Sequence, residues 1–252
     1  MTFLVAAESY DRFMGRYSVQ LGPQLATFAG VTAGMRALDV GCGPGALVGE
    51  LVARLGAENV AAVEPSPPFV QAARERYPDV DVRQAPAEAL PFEDDAFDVA
   101  LAQLVVHFMD DPDAGLREMA RVVEPGGVVA ACVWDMAGDR APLTPFWRGA
   151  RELDPGVDDE SHLAGVREGQ LGELFRAAGL RDVEETTLEA RSTFDTFDEW
   201  WEIFQLGVGP AGAYAKSLDD ERRARLRELC HRRLPIEPFT VEAHAWAVRG
   251  VG

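Results

Sequence analysis

Short apolar runs alternate with amphipathic segments between residues 35 and 135. The runs have the length and composition of buried strands, near residues 37–40, 60–64, 80–84, 97–102 and 128–134. The segments between them carry apolar residues at helical spacing and predict helices near residues 46–55, 68–77 and 113–123. Alternation of this kind requires a mainly parallel sheet with right-handed crossover connections. The pattern therefore predicts an α/β fold.

The segments that flank this alternating core carry weaker patterns. Residues 9–28 predict one or two helices before the sheet, whereas residues 136–168 lose periodicity and are rich in Pro, Gly and Asp. The C-terminal part predicts a helix, a strand, two helices separated by a Gly/Pro break, and a last strand: residues 170–178, 182–189, 196–233 with the break at 207–212, and 240–248.

We interpret the chain as a single domain, because 252 residues can bury one large core. The domain then spans residues 1–252 in four parts: a helical leader at 1–34, the alternating core at 35–135, an irregular surface excursion at 136–168, and a C-terminal part at 169–252 with a helical insert at 196–233.

Composition and charge exclude several function classes. The formal net charge is −18, which repels a phosphate backbone, so we expect no nucleic-acid partner. The three cysteines are odd in number and widely spaced, which argues against a disulfide framework and for a reducing compartment. No apolar run approaches the length needed to span a bilayer, and the first residues lack a basic stretch. We therefore expect a cytoplasmic protein that makes no membrane contact.

Three glycines alternate directly after the first predicted strand, at Gly41, Gly43 and Gly45. Glycine adopts positive φ and lets a ligand approach the main chain, and three glycines so close together are hard to explain by packing alone. The amide groups of such a turn, followed by a helix N-terminus, attract an anionic group such as a carboxylate. The turn therefore predicts a bound cofactor.

An acid, Glu64, ends the second predicted strand, about 20 residues beyond the glycines. In a doubly wound sheet, an acid at this place accepts hydrogen bonds from the two ribose hydroxyls of an adenosine. The segment from Gly41 to Ala46 fits both the dinucleotide-binding pattern and an alternating-glycine pattern. The glycine spacing alone therefore leaves the identity of the cofactor open.

Asp39 before the glycines and two later segments, at residues 87–92 and 97–100, distinguish these alternatives. With them the chain resembles the class I S-adenosylmethionine-dependent methyltransferases, specifically the small-molecule branch related to the ubiquinone and menaquinone C-methyltransferases. The likeness covers residues 37–135. It implies a Rossmann-like, seven-stranded, mostly parallel sheet with helices on both faces, a helical insert before an antiparallel last strand, and S-adenosyl-L-methionine as the cofactor.

The resemblance also implies where the cofactor is held. Asp39 positions the methionine end, Pro65 covers one face of the adenine, and Gln103 touches the amino-acid end, while Cys42 is a small buried residue inside the glycine turn. The implied cofactor-binding set is Asp39, Gly41, Cys42, Gly43, Gly45, Glu64, Pro65, Ala87, Glu88 and Gln103.

One position departs from the family pattern. The family usually has an aspartate where Pro86 stands, and that aspartate reaches the adenine amino group. Adenine contacts are therefore expected from the backbone at Ala87 and Glu88 or are absent.

The acceptor side is less defined. The resemblance implies that the leader at residues 10–17 lies over the cofactor, and the aromatic side chains around Trp200 and Trp201 suit an apolar or aromatic small-molecule acceptor. We expect these two segments to close together as a lid. No particular general base follows from the sequence, and the substrate-side candidates are Tyr10, Arg16, His107 and Asp135. The four histidines and the acids show no metal-ligand spacing, so we expect no metal.

Two other functions share these motifs. A nicotinamide-dependent oxidoreductase has the same generic fold, but the chain lacks a Tyr-x-x-x-Lys pattern and Lys216 is its only lysine. A non-catalytic protein that binds S-adenosylmethionine would keep the cofactor motifs, because binding and turnover need different residues. The sequence names neither the acceptor nor the oligomeric state.

Overall fold

A seven-stranded sheet forms the centre of the computed structural model, which describes residues 7–252. In chain order the strands are β1 (Ala37–Val40), β2 (Val60–Glu64), β3 (Asp81–Gln84), β4 (Phe97–Gln103), β5 (Val123–Trp134), β6 (Arg181–Phe194) and β7 (Phe239–Val251). Their order across the sheet is β3-β2-β1-β4-β5-β7-β6. Strands β1 to β5 pair in parallel, and β7 lies antiparallel between β5 and β6. The predicted Rossmann-like, mostly parallel sheet is confirmed.

Helices cover both faces of this sheet, so its central strands are buried on both sides. All residues of β1 and β2 are buried, which explains why they read as continuous apolar runs. Alternate residues of β1 enter two separate apolar clusters: Ala37 enters one, and Leu38 and Val40 enter the other. The predicted two-sided burial is therefore present.

Ten α-helices accompany the strands in residues 7–252. They are α1 (Ala7–Tyr10), α2 (Arg16–Phe28), α3 (Ala46–Leu55), α4 (Pro67–Arg76), α5 (Pro112–Val122), α6 (Thr144–Leu153), α7 (Gln170–Ala177), α8 (Phe197–Gln205), α9 (Gly209–Ser217) and α10 (Asp220–His231). A π-helical turn, Asp11–Gly15, joins α1 to α2. The first six residues of the predicted leader lie outside the described residues. None of the helices within residues 7–252 has both the length and the apolar character that crossing a bilayer requires.

The segment at residues 136–168, expected to be irregular, contains the helix α6. This helix buries Phe146, Trp147 and Ala150 and packs against α10. Its apolar positions are few, and the Pro, Gly and Asp residues around them concealed the helical spacing. The prediction of a fully irregular excursion was therefore wrong.

The insert at residues 196–233 contains three helices, where two were predicted. The expected break at residues 207–212 is shorter, because α9 begins at Gly209. Pro210 fits the first turn of α9, since the N–H that proline lacks would have no acceptor within the helix. The predicted break is therefore too long, because it includes Pro210, which lies in the first turn of α9.

Two glutamines of α2 cover the open edge of the sheet at β6. Gln20 Nε2 donates to the Arg191 carbonyl at 2.8 Å, and Gln20 Oε1 accepts from the Arg191 amide at 3.2 Å. Gln24 makes the same pair of bonds with the Glu189 backbone, at 2.8 and 3.2 Å. The two side-chain amides thus take the place of a neighbouring strand and block pairing with another chain at these positions.

We expect the double substitution of Gln20 and Gln24 by alanine to lower the free energy of unfolding by about 1–3 kcal/mol, because four hydrogen bonds to an edge strand are lost. Amide hydrogen exchange at Glu189 and Arg191 should accelerate. Gln71→Ala is the control, since Gln71 bonds only the exposed Glu75 side chain. Unchanged exchange at both amides would show that the glutamines do not protect the edge.

Candidate active site

The glycine turn joins β1 to α3, and each of its glycines has positive φ: +72° at Gly41, +54° at Gly43 and +97° at Gly45. A Cβ at Gly41 would lie 2.6 Å from both methyl groups of Val105, and a Cβ at Gly45 would lie 2.6 Å from the ring of Tyr77. A Cβ at Gly43 would meet no protein atom within 4 Å. Packing therefore requires two of the glycines, while the third leaves space open above the turn.

The amides of this turn are used inside the protein. Those of Gly41 and Cys42 donate to the Val63 carbonyl at 2.8 and 3.0 Å, and that of Gly45 donates to the Cys42 carbonyl at 2.9 Å. The Gly43 amide donates to the Glu64 carboxylate at 2.9 Å. We predicted that the glycine amides would attract a ligand carboxylate; in this structure they close the turn and hold it to β2 instead.

Glu64 lies at the carboxyl end of β2 and is buried. Its Oε1 accepts from the Ser66 amide at 2.8 Å, and its Oε2 accepts from the Gly43 amide. Burial raises the pKa of Glu64, and the hydrogen bonds from the Ser66 and Gly43 amides oppose that rise. Each carboxylate oxygen keeps a second lone pair for a ligand donor.

Asp39 lies on β1 behind the turn and is 1% exposed. Its Oδ2 has no hydrogen-bond partner among the described residues. Desolvation raises the pKa of Asp39, and the charge of Glu64 adds to this rise. A hydrogen bond from the Val48 amide opposes it, and the resulting pKa is about 8. The carboxyl therefore faces α3 and is not in contact with the cavity described next.

A cavity lies at the carboxyl ends of β1, β2 and β4. Seven residues of the predicted cofactor set line it: Gly41, Gly43, Glu64, Pro65, Ala87, Glu88 and Gln103. The other three do not line it: Asp39, Cys42 and Gly45. The structure thus brings most of the predicted set to one place, and the remaining three support the turn from behind.

Gln103, at the end of β4, lines this cavity. Its Nε2 donates to the Ser18 carbonyl of α2 at 3.0 Å, which fixes the side chain. Its Oε1 is buried and has no donor among the described residues. A buried acceptor without a partner in a cavity wall indicates that a ligand supplies the donor.

The segment after β3 lines the cavity with Pro86, Ala87 and Glu88, and the Glu88 carboxylate is already bonded within the protein. The Glu88 carboxylate accepts from the Asp110 and Asp111 amides at 2.8 and 3.2 Å, so it anchors the loop beyond β4. The neighbouring Ala87 amide has no acceptor within residues 7–252. Pro86, which replaces the family's aspartate, lines the cavity with its ring.

Two of the four substrate-side candidates lie away from the cavity. Arg16 pairs with Glu199 at 3.6 Å, donates to Ser192 at 3.2 Å and stacks over Phe194. Asp135 pairs with Arg140 at 2.6 Å and accepts from the Gly138 amide at 2.8 Å. Both charges are neutralised in structural contacts, so neither residue serves the site.

The other two candidates, Tyr10 and His107, both line a second cavity, and Tyr10 also lines the first. Tyr10 lines both cavities and packs edge to face against Phe69, with ring centroids 5.3 Å apart. Desolvation is the main reason why the pKa of Tyr10 is raised to about 12. His107 lines the second cavity, and burial lowers its pKa to about 3, so its imidazole is neutral.

The wall of the second cavity also contains a residue that the sequence pattern did not indicate. Glu160 is 3% exposed, and Trp147 Nε1 donates to its Oε2 at 2.8 Å. Glu160 lies in the segment that was predicted to be irregular. The only signal that could have identified it is an acid next to a run of aspartates, which is also typical of a solvated loop.

The leader and the insert contact each other beside these cavities. Phe13 packs edge to face on Phe204 at 5.9 Å, and Arg12 lies 3.9 Å from Glu202. Trp200 and Trp201 are buried in the ring cluster around Phe204 and line neither cavity. The aromatic insert therefore supports the leader from behind.

No group of three or more metal-ligating side chains occurs among residues 7–252. The first cavity is lined by backbone, the acids Glu64, Glu88 and Asp110, the amide of Gln103 and aromatic rings, which suits an organic ligand that carries hydroxyl or cationic groups.

Comparison with known proteins identifies relatives of this chain. A family model described as "Methyltransferase domain" matches residues 38–131. An uncharacterised protein of Mycobacterium tuberculosis is 30% identical over 207 residues, which are 77% of this chain and 72% of that protein. The 2-methyl-6-phytyl-1,4-hydroquinone methyltransferase of Synechocystis is 33% identical over 180 residues, which are 69% of this chain and 55% of that enzyme.

Among solved structures, the chain is similar to a putative methyltransferase from an antibiotic biosynthesis pathway of Anabaena variabilis. The TM-score is 0.64 at 17% identity, and the match covers 91% of this chain and 96% of that one. At this identity the likeness concerns the fold alone.

The burial of Asp39 predicts a pH-dependent gain in stability for Asp39→Asn. The folded-state pKa of about 8 exceeds the ordinary value of 3.8, so the carboxyl favours folding when protonated and that contribution is lost as pH rises between these values. The variant should therefore gain stability over the wild type from pH 4 to pH 8, by about 2 kcal/mol or more.

Chemical denaturation at both pH values measures this difference. Asp79→Asn, at an exposed position, removes the same charge and should show no such trend. A constant difference between Asp39→Asn and the wild type across the range would mean that Asp39 is ionised in the folded protein at pH 4.

Proposed function

This chain belongs to the class I S-adenosylmethionine-dependent methyltransferases of the small-molecule branch, and we propose that it methylates an apolar or aromatic small molecule through the two adjoining cavities. The observation that carries the proposal is the first cavity, where a carboxylate fixed by two backbone amides and the side chain of Gln103 line one space at the carboxyl ends of the strands. That edge is where ligands bind in open α/β sheets.

The residues present fit S-adenosylmethionine. In the proposal, the Glu64 carboxylate accepts from the ribose hydroxyls and the Gln103 Oε1 accepts from the ammonium of the methionine part. The rings of Pro65 and Pro86 border the adenine, and the free Ala87 amide donates to a ring nitrogen. Gly43 supplies the space above the turn that a side chain would fill.

When bound, S-adenosylmethionine supplies a methyl group on a positively charged sulfur, a leaving group that needs no further activation. The protein's part is therefore to align the acceptor and to exclude water, effects that contribute about 7–11 kcal/mol in favourable cases. Tyr10 is placed for both tasks, because its ring lies in the wall between the two cavities.

Two observations support the acceptor class: the lining of the second cavity and the net charge of the whole chain. Phe13, Met14, Phe108 and Leu143 give this cavity a mainly apolar wall. The net charge of −18 disfavours a nucleic-acid substrate. The relative from Synechocystis is named as a methyltransferase of 2-methyl-6-phytyl-1,4-hydroquinone, which contains an aromatic ring, and this supports an aromatic acceptor in the proposal.

A cytoplasmic location is part of the proposal. Cys42, Cys132 and Cys230 are all free thiols and all buried. Unpaired cysteines are the ordinary state in a reducing compartment.

Calorimetric titration with S-adenosylhomocysteine tests the cofactor site. The wild type should bind it, and NADH should bind weakly or not at all. Glu64→Ala should weaken binding at least about tenfold, since hydrogen bonds to a charged acceptor contribute about 1.5–3 kcal/mol each. Glu64→Gln should have a smaller effect, because it keeps one acceptor oxygen.

The control is Glu75→Ala, which removes the same charge from the exposed surface of α4. Thermal unfolding shows whether each variant is folded, because Glu64 also holds the Gly43 and Ser66 amides. Tight binding of NADH, or full affinity in a folded Glu64→Ala protein, would contradict the proposed site.

The leader and the insert are proposed to act together as a lid. They are joined by the Phe13–Phe204 and Arg12–Glu202 contacts, and Asp11 of the leader pairs with Arg76 of α4 beside the cavity.

Hydrogen exchange in residues 10–17 and 197–205 should slow when S-adenosylhomocysteine binds, whereas exchange in β7 should not change. Tyr10→Ala should impair turnover more than it weakens cofactor binding. Unaltered exchange in both segments would make them ordinary packing elements.

A further inference from the structure

The second cavity lies directly behind Tyr10 and shares Tyr10, Leu104 and Phe108 with the first. The shared wall means that a molecule in the second cavity is next to whatever occupies the first. The other walls come from His107 and Trp134 of the alternating core and from three segments around that core: the leader, the segment at residues 136–160 and the start of the helix α9.

Three buried polar side chains interrupt this apolar wall. Trp134 Nε1 and His107 Nδ1 have no hydrogen-bond partner among the described residues. Both residues are at least 95% buried and both line the cavity. The third is Glu160, whose carboxyl is oriented by Trp147. A buried donor or acceptor without a partner is costly, so a ligand that pairs with these groups is favoured.

The charges around Glu160 are otherwise compensated. Its neighbour Asp159 pairs with Arg151 at 2.7 Å, and Arg151 also pairs with Asp139 at 2.8 Å. Desolvation is the main reason why the pKa of Glu160 is raised to about 7. No arginine or lysine within residues 7–252 forms an ion pair with Glu160, which leaves the carboxyl available to a ligand.

We infer that the second cavity is the acceptor pocket and that Glu160 selects acceptors that carry a hydroxyl group on an apolar ring, by accepting a hydrogen bond from that hydroxyl. The inference rests on the proposed function, since it places the acceptor beside the cofactor cavity. It makes Glu160 a specificity-determining residue, and it requires no particular step of the reaction.

The polar groups favour a hydroxyl over an ammonium. Trp134 Nε1–H is only a donor, and the Glu160 carboxylate is only an acceptor. A hydroxyl can pair with either group, because its oxygen accepts from an N–H and its proton is donated to a carboxylate. An ammonium has donors alone, so it would leave the Trp134 N–H without an acceptor.

Calorimetry with three probes tests this inference in protein without cofactor. The probes are 4-ethylphenol, ethylbenzene, which lacks the hydroxyl, and phenethylamine, which carries an ammonium. The wild type should bind 4-ethylphenol at least about tenfold more tightly than ethylbenzene, the factor expected from one hydrogen bond to a buried carboxylate. Phenethylamine should bind more weakly than 4-ethylphenol.

Two variants assign the preference to Glu160. Glu160→Leu should bind both neutral probes within about twofold of each other, and Glu160→Gln should keep part of the preference because it keeps an acceptor. Asp158→Asn is the matched control, since Asp158 is a largely exposed acid two positions away. It should retain the wild-type preference.

Equal binding of 4-ethylphenol and ethylbenzene to the wild type would overturn the inference, and that measurement does not depend on the folding of any variant. So would a full preference in folded Glu160→Leu, or tighter binding of phenethylamine. Binding of S-adenosylhomocysteine to the Glu160 variants is measured in parallel and should be unchanged. A wild type that binds the phenol selectively but not S-adenosylhomocysteine would overturn the proposed function and leave Glu160 as the selector of a hydroxyl ligand.

Discussion

The hydrogen bonds of Glu64 to the Gly43 and Ser66 amides are the constraint on which the cofactor cavity depends. They join the turn after β1 to the end of β2, so the space between the two strands has a fixed shape before any ligand arrives. The Val63 carbonyl reinforces the same junction by accepting from two amides of the turn. Because the carboxylate is already desolvated and oriented, a ligand hydroxyl does not have to organise it.

The same junction contains two buried acids, and burying them is electrostatically unfavourable. Asp39 and Glu64 are both buried, and the charge of Glu64 adds to the desolvation that raises the pKa of Asp39. Two neighbouring acids without a basic partner do not improve stability, so they are retained at this place for another reason. A bound ligand that carries a positive charge would relieve the repulsion, which couples the stability of the fold to occupancy of the cavity.

The sequence predicted the alternating core closely, because buried parallel strands have a simple signature. The bounds of β1, β2 and α3 agree with the predicted ranges, and Glu64 lies at the end of its strand as expected. Where side-chain partners decide the role, prediction failed: Arg16 pairs with Glu199, which is far away in sequence, and Asp135 pairs with Arg140 in the turn that follows it. Periodicity says nothing about partners that are far apart in sequence.

Glu160 shows why the acceptor side was less predictable than the cofactor side. The cofactor residues follow strands, so the sheet brings them together by a rule that holds for the whole fold. The second cavity has no such rule, because its wall combines the loop after β4 and the end of β5 with the leader, the segment after β5 and α9, which meet only in three dimensions. A site of this construction can change its ligand without disturbing the sheet, since none of Glu160, Phe13 and Val208 belongs to a strand. The division places cofactor binding in the conserved geometry of the fold and acceptor selection in the segments added around it.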